Sequence, residues 1–350
     1  MSLSGKIGID DFSQIILPNC GHPRSEVTQG PAFGVDVSLI KLPGGQGLAL
    51  TSDPLSLIPS LGLQESAWLS VHLMANDMAT TGFSPMYAQM VLNLPPTLTE
   101  YNFKIYWDYI HEYCNTIGVA VTGGHTGGIE GQNSTISGGG TMLLTAPFDD
   151  ILLSNKAEPG NVLIVTKECA LSSSAILAMS FPETIKNKLG NEIYQKGCEL
   201  FYKTSSLQDG LTARGKATGY NEVTAMHDVT EGGVINAIFE MAIASGTGFT
   251  IDNDLLPIGE TQQHICSIFD IDARYSIGAG SMIIAAKKEY ARQVTERLEA
   301  ENIKATVVGQ LTDKEQGYRL IENGEERDMI YYDKDPYWEA FFSAFKKGWK

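Results

Sequence analysis

Five short stretches hold the residues best suited to chemistry. Four of them put an aspartate at a turn or at the start of a helix: Gly34-Val35-Asp36-Val37, Thr51-Ser52-Asp53-Pro54, Ala75-Asn76-Asp77-Met78 and His227-Asp228-Val229-Thr230-Glu231-Gly232-Gly233. The fifth, Thr122-Gly123-Gly124-His125-Thr126-Gly127-Gly128, is rich in glycine and has the form of a phosphate cradle. Carboxylates on loops beside apolar strands suit Mg²⁺, a hard cation that takes oxygen ligands, keeps several waters and is commonly shared with substrate phosphates. Asp36, Asp53, Asp77 and Asp228 are therefore the expected metal ligands, able to hold two or more Mg²⁺ along a triphosphate. Each also has a purely structural reading. Asp53 before Pro54 can start a turn, because Asp accepts hydrogen bonds from the backbone that follows it. Asp228 can sit ahead of Thr230 as helix cap, where a negative charge is favourable. The ordered combination of the aspartates with two glycine pairs favours chemistry over structure.

Phosphoryl transfer asks for positioning and charge neutralisation more than for a strong nucleophile. Gly232 and Gly233, ahead of a helix, would let phosphate approach backbone donors, and Gly123 and Gly124 would do the same from the first half of the chain. There is no G-x-x-x-x-G-K-[ST] and no G-x-G-x-x-G after the first strand, so P-loop and Rossmann sites are not expected. His125 has two readings: a phosphate ligand or proton-transfer group, and a loop histidine bonded to backbone. His227 is read as structural, pointing away from Asp228 on an extended segment. Cys20 is read as a plain loop cysteine.

The elements that must position these groups alternate along the chain. Residues 1–33 read as an arm, punctuated by Pro18, Gly21, Pro23, Gly30 and Pro31. A domain is expected over 34–150. In it, Gly47–Thr51 is a strand running to Asp53, 65–81 a helix with Trp68, Val71, Ala75 and Met78 on one stripe, and Met86–Leu94 a strand. Thr99–Ile117 is a second helix, Gly118–Thr122 a strand feeding the Gly123 loop, and Ile136–Thr145 a returning strand. A second domain is expected over 157–315. Strands are read at 162–165, 223–226, 281–286 and 303–308, and helices at 172–180, 184–205, 287–301 and after the cap Thr230, the last closed by Gly246. A tail from 316 to 350 ends in an aromatic stripe, from Tyr331 to Phe345, suited to packing against the body or another subunit.

Composition bounds the function. At 350 residues two domains are expected, and 43% hydrophobic with 19% charged residues is the balance of a globular protein. The formal charge of −16 argues against nucleic-acid binding, which needs a basic surface. Five scattered cysteines make no C-x-x-C pair, which suits a reducing cytoplasm. No secretory leader and no apolar run of membrane-spanning length is read in the sequence.

In their order, the motifs resemble the superfamily of aminoimidazole ribonucleotide (AIR) synthetase, selenophosphate synthetase, the hydrogenase-maturation carbamoyl dehydratase and thiamine-monophosphate kinase. Gly34-Val35-Asp36 resembles its G-x-D element, Thr51-Ser52-Asp53 its T-x-D strand end and Asn76-Asp77 its N-D helix element. Gly123-Gly124-His125-Thr126 resembles its G-G-[DEH]-[TS] loop, and Asp228-Val229-Thr230-Glu231-Gly232-Gly233 its D-x-T-x-G-G element. The resemblance implies an α/β (α+β) fold of two AIR-synthetase-type domains. It further implies a homodimer whose N-terminal domains share a β-barrel, and ATP with Mg²⁺ as cofactors. It adds Asn76, Thr126 and Thr230 to Gly123, Gly124, His125, Gly232 and Gly233 as nucleotide-binding residues, and gives His125 and Asp228 catalytic roles. The implied activity is phosphoryl transfer that activates an oxygen of a small-molecule substrate. The alternatives are a small-molecule kinase of the thiamine-monophosphate type, and a nucleotide-binding maturation or scaffold protein without turnover. The body resembles the dehydratase most, but that enzyme's hallmark C-terminal cysteine is absent from Lys347-Gly348-Trp349-Lys350, so a carbamoyl adduct on the tail is not expected.

Overall fold

Two mixed sheets share one central helix. The computed structural model describes residues 5–55, 57–131, 137–215 and 222–350. The first sheet contains β1 (Val27–Gln29), β2 (Ser38–Lys41), β3 (Gln46–Pro54), β4 (Tyr87–Leu94), β5 (Ala120–Gly128) and β6 (Ser137–Pro147), in the order β1-β2-β3-β6-β4-β5. Its neighbours are antiparallel except β4 and β5. The second contains β7 (Val162–Thr166), β8 (Val223–Asp228), β9 (Gly248–Asp252), β10 (Met282–Ala286), β11 (Ala305–Thr312), β12 (Tyr318–Glu322) and β13 (Glu325–Asp328). Its order is β13-β12-β9-β11-β7-β10-β8, and only β12 and β9 run parallel. The protein is thus a two-domain α/β fold.

In the first sheet, side chains alternate between a covered and an open face. Ala88, Met90 and Leu92 of β4 turn inward with Met142 and Leu144 of β6, and share a core with Val71, Met74 and Met78 of the helix Leu63–Ala79. Burying each larger side chain contributes about 1.5–3 kcal/mol. The same core runs on into Ile164, Met226, Met282 and Ile284 of the second sheet. Leu63–Ala79 is therefore buried nearly all round rather than along the one stripe that the sequence suggests. Among the described residues, no helix covers the other face of the first sheet. Tyr87 and Val91 are exposed there, and Leu48, Leu50 and Leu143 beside them are only half-buried.

Several expectations change in the structure. The strand read at 118–122 starts at Ala120 and runs through the supposed loop to Gly128, so Gly123, Gly124, His125 and Thr126 are strand residues. The strand read from Ile136 is seen from Ser137, Ile136 lying outside the described residues. The helix read over 184–205 is two helices, Pro182–Leu189 and Asn191–Glu199, interrupted at Gly190 and followed by a 3₁₀ turn at Phe201–Lys203. Thr230 does not cap the following helix. That helix is Gly233–Ser245, with left-handed Gly232 at its N-cap and left-handed Gly246 at its end.

The arm and the tail are both part of the body. β1 lies within the arm, and Lys41 N–H donates to Glu26 O at 2.7 Å beside it. β12 and β13 lie within the tail and extend the second sheet past 315. The tail's aromatic stripe packs inward: Phe341, on the helix Pro336–Lys346, stands 5.3 Å from Phe181 between ring centres. Among the described residues, no helix is long and apolar enough to cross a membrane.

Candidate active site

The four motif aspartates come to one cleft between the two domains, about 280 Å³ in volume. Asp36 precedes β2, Asp53 lies near the end of β3, Asp77 sits in the last turn of Leu63–Ala79 and Asp228 ends β8. Strand ends and a helix end are stiff supports, so Asp53, Asp77 and Asp228 are set by the scaffold, while Asp36 lies in the segment leading into β2. Thr51 Oγ1 donates to Asp77 Oδ2 at 2.5 Å, and Ser154 Oγ donates to Asp36 Oδ2 at 3.1 Å.

His227 joins the two halves of the site. Its Nδ1 is 3.1 Å from Asp36 Oδ1 and 3.9 Å from Asp228 Oδ1, and its Nε2 is 3.5 Å from Glu240 Oε2. Burial alone would lower its pKa, but Asp36 and Glu240 raise it to about 9, so the imidazolium is the charged partner of Asp36. The structural role expected of His227 becomes an electrostatic one. Its apparent turn away from Asp228 is undone because both residues end a strand at the domain junction.

The carboxylates themselves hold protons unusually well. Burial, with the neighbouring Asp36 carboxylate, pushes Asp53 up to about 6 and Asp228 up to about 8. Asp77 is raised well above its ordinary value by burial and by Asp228, Asp53 and Asp36. Burial also raises Asp36, against the pull of His227 and Lys6. Clustered acids that share too little positive charge are destabilised as anions, and a cation relieves that repulsion. Asp228 Oδ2 is buried without a hydrogen-bond partner among the described residues, and the donor set is oxygen-rich. Both features fit a hard divalent ion.

The remaining expected residues separate. Thr230, Gly232 and Asp228 line the cleft. Thr230 Oγ1 accepts from Lys6 Nζ at 2.7 Å, and Gly232 N–H donates to Asp335 Oδ2 at 2.6 Å. Gly233 opens the helix at φ +66°, where a Cβ would stand 2.5 Å from Arg274 O. Asn76 is buried beside the cleft and turned away from it: its amide donates to Thr204 O at 2.9 Å and accepts from Ser206 N–H at 2.7 Å. Gly123, Gly124, His125 and Thr126 do not line the cleft; they lie on β5, an exposed edge of the first sheet. The glycine at 124 has its own structural reason, since a Cβ there would stand 1.8 Å from Met90 O on the neighbouring strand.

Sequence reasoning passed over Lys6, Glu240 and Asp335. Glu240 had a signal, a carboxylate between Phe239 and Met241 on an otherwise apolar helix. Asp335 had another, since Asp followed by Pro336 is a common helix start, and its Oδ1 does accept from Tyr337 N–H at 2.8 Å. Lys6 had none.

With this geometry in hand, the relatives can be placed. The chain is 22% identical to the thiamine-monophosphate kinase of Buchnera aphidicola over 324 residues, 86% of this chain and 91% of that protein. Its fold is similar to a crystal structure of E. coli HypE, a hydrogenase maturation protein, with a TM-score of 0.70 at 22% identity over 83% of this chain and 87% of that one. It is also similar to the hydrogenase maturation protein HypE in complex with ATP, with a TM-score of 0.64 at 17% identity over 93% of both chains. Residues 34–143 match the N-terminal domain, and residues 158–321 the C-terminal domain, of AIR synthase related proteins. The chain therefore belongs to the AIR synthase related family, in the same superfamily as HypE and thiamine-monophosphate kinase.

Proposed function

We propose that the cleft binds ATP with Mg²⁺ and transfers a phosphoryl group to an oxygen of a small-molecule substrate. The observation that carries this reading is the convergence of Asp36, Asp53, Asp77 and Asp228 from both domains on one cleft. A solved relative of the same fold holds ATP, which supports the nucleotide half of the reading. Asp36, Asp53, Asp77 and Asp228 would hold the metal, which when bound neutralises phosphate charge. His227 and Ser154 orient Asp36, and Thr51 orients Asp77. The start of Gly233–Ser245 borders the cleft at Gly232, whose N–H is held by Asp335 Oδ2. Asp228, buried in the cleft wall, is the carboxylate to which we assign a role in transfer as well as in metal binding.

We further propose a homodimer through the open face of the first sheet. Tyr87 and Val91 are exposed there on a surface with no covering helix, and an apolar sheet face of this kind needs a partner. Pairing of two such sheets is also the arrangement in which Gly123–Thr126, at the β5 edge, could reach a nucleotide. Sedimentation at micromolar concentration tests this, and a stable monomer excludes it.

A kinase that releases its phosphorylated product is the second reading, favoured by the thiamine-monophosphate kinase match over 86% of this chain. ADP release with and without candidate acceptors separates the readings. Acceptor-dependent ADP with a stable phosphate ester identifies a kinase, ADP without an ester identifies transient activation, and Mg²⁺–ATP binding without ADP identifies a non-catalytic protein. No metal-dependent ATP binding at all would remove the proposal.

A further inference from the structure

The acidic cleft has an occupant of its own. Lys6 reaches it from the N-terminal arm, and its Nζ donates to Thr230 Oγ1 at 2.7 Å and stands 3.8 Å from Glu240 Oε2. Its backbone N–H donates to Glu231 Oε2 at 2.8 Å. Gly5 packs so close to Glu231 that a Cβ there would be 2.6 Å from the same oxygen. Ile7 and Phe12 continue along the cleft wall. Among the described lining residues, the carboxylates of Asp36, Asp53, Asp77, Asp228, Glu231, Glu240, Asp333 and Asp335 face one Lys or Arg side chain, that of Lys6.

We propose that Lys6 is a tethered cation that occupies the cleft in the metal-free protein, and that the segment 5–12 withdraws when a divalent ion binds. This rests on the metal reading above. An ammonium and a divalent ion are drawn to the same carboxylates, and once both are present they repel each other. The ammonium is the easier of the two to remove. It sits on a flexible four-carbon stem, is readily rehydrated, and the Lys6 side chain is already half exposed. Asp53, Asp77 and Asp228 hold their positions without it, because they sit on strand and helix ends. A metal ion then sees only the fraction of molecules whose arm is open, so its apparent affinity is reduced by that fraction. The arm also records occupancy, since its position differs between the metal-free and metal-bound protein.

The test uses the full chain and two readouts. Calorimetric titration with Mn²⁺ as the probe compares the natural protein with Lys6→Met, which keeps the length of the side chain and removes its charge. A gain of about tenfold in affinity is expected. Loss of repulsion alone would also tighten binding, so the second readout follows movement in the natural protein. Trypsin cuts after lysine, and cleavage of the Lys6–Ile7 bond should become several-fold faster at saturating Mg²⁺ than without it. Equal or weaker Mn²⁺ affinity in Lys6→Met overturns the proposal. So does a cleavage rate that is unchanged or slowed by Mg²⁺, which would make the arm a lid that stays closed over the ion. If neither protein binds Mn²⁺ or Mg²⁺, the metal reading itself fails, a result distinct from equal binding in both.

Discussion

Gly123-Gly124 and Gly232-Gly233 look alike in sequence, each a glycine pair beside a threonine and a polar side chain, and each suggests a phosphate cradle. They occupy unlike places. Gly124 lies inside β5 at φ +140°, a backbone conformation that would aim a Cβ at Met90 O of β4, so glycine is needed there. Gly232 stands at the start of a helix beside four carboxylates, in left-handed conformation, with its N–H turned to an acceptor. A glycine pair thus reports that backbone must come close to something. Whether that something is another strand or a ligand depends on what the neighbouring elements bring.

The largest effect should come from the carboxylates that distinguish the second place. Asp53→Asn or Asp77→Asn is expected to weaken metal-dependent ATP binding about a hundredfold, beyond the loss typical of groups that only orient a ligand, while the protein stays folded. Calorimetry with and without Mg²⁺ measures it, and unchanged affinity in both variants would leave the two glycine pairs without a functional difference. At the first place, Gly124→Ala should lower stability by about 3 kcal/mol, through backbone strain and the clash with Met90 O. Urea unfolding reads this directly, and a loss well under 1 kcal/mol would mean that the positive φ and the approach of Met90 O are not what require glycine.

Next comes pH. Asp53, Asp335 and Asp228 have folded pKa values raised to about 6, about 7 and about 8, above an unfolded value of 3.8. The folded protein therefore binds more protons than the unfolded chain between about pH 4 and about pH 8, and metal-free stability must fall as pH rises through that window. Thermal melts should show the decline, Mg²⁺ should reverse it at pH 8, and Asp53→Asn should make it shallower. A metal-free protein that grows more stable from pH 5 to pH 8 would contradict the electrostatics of the cleft. The smallest effect is at Asp335, whose two oxygens accept from Gly232 N–H and Tyr337 N–H. Asp335→Asn can keep only one of these bonds and should cost about 1 kcal/mol, read as a small drop in the urea midpoint at pH 8, where Asp335 is ionised.

Much of this was legible in the sequence, and the reasons for the rest are physical. The aspartate motifs come together because each sits at the end of an element, and element ends are marked by short-range signals such as Thr-x-Asp before proline. The family followed from the order of those motifs. The path of β5 did not follow, because glycine discourages a strand reading, and only the approach of β4 makes it fit. The break at Gly190 is local, a glycine at φ +91° with open space around it, whereas the start at Gly233 is set by tertiary spacing, since a Cβ there would stand 2.5 Å from Arg274 O. His227 was read from strand alternation, which says which way a side chain points but not which carboxylates a second domain brings to meet it. Lys6 had no local pattern at all, since its role depends on residues more than two hundred positions away.

The helix Leu63–Ala79 has one more consequence. Its Val71, Met74 and Met78 lie in an apolar core that also holds Met142 from one sheet and Met226 and Met282 from the other, and Asn76 bonds it to the backbone at 204 and 206. Two sequence modules that could in principle be cut apart are therefore one cooperative unit. Neither can melt while the other keeps its interior dry, so heating should give a single calorimetric transition whose enthalpy belongs to the whole chain.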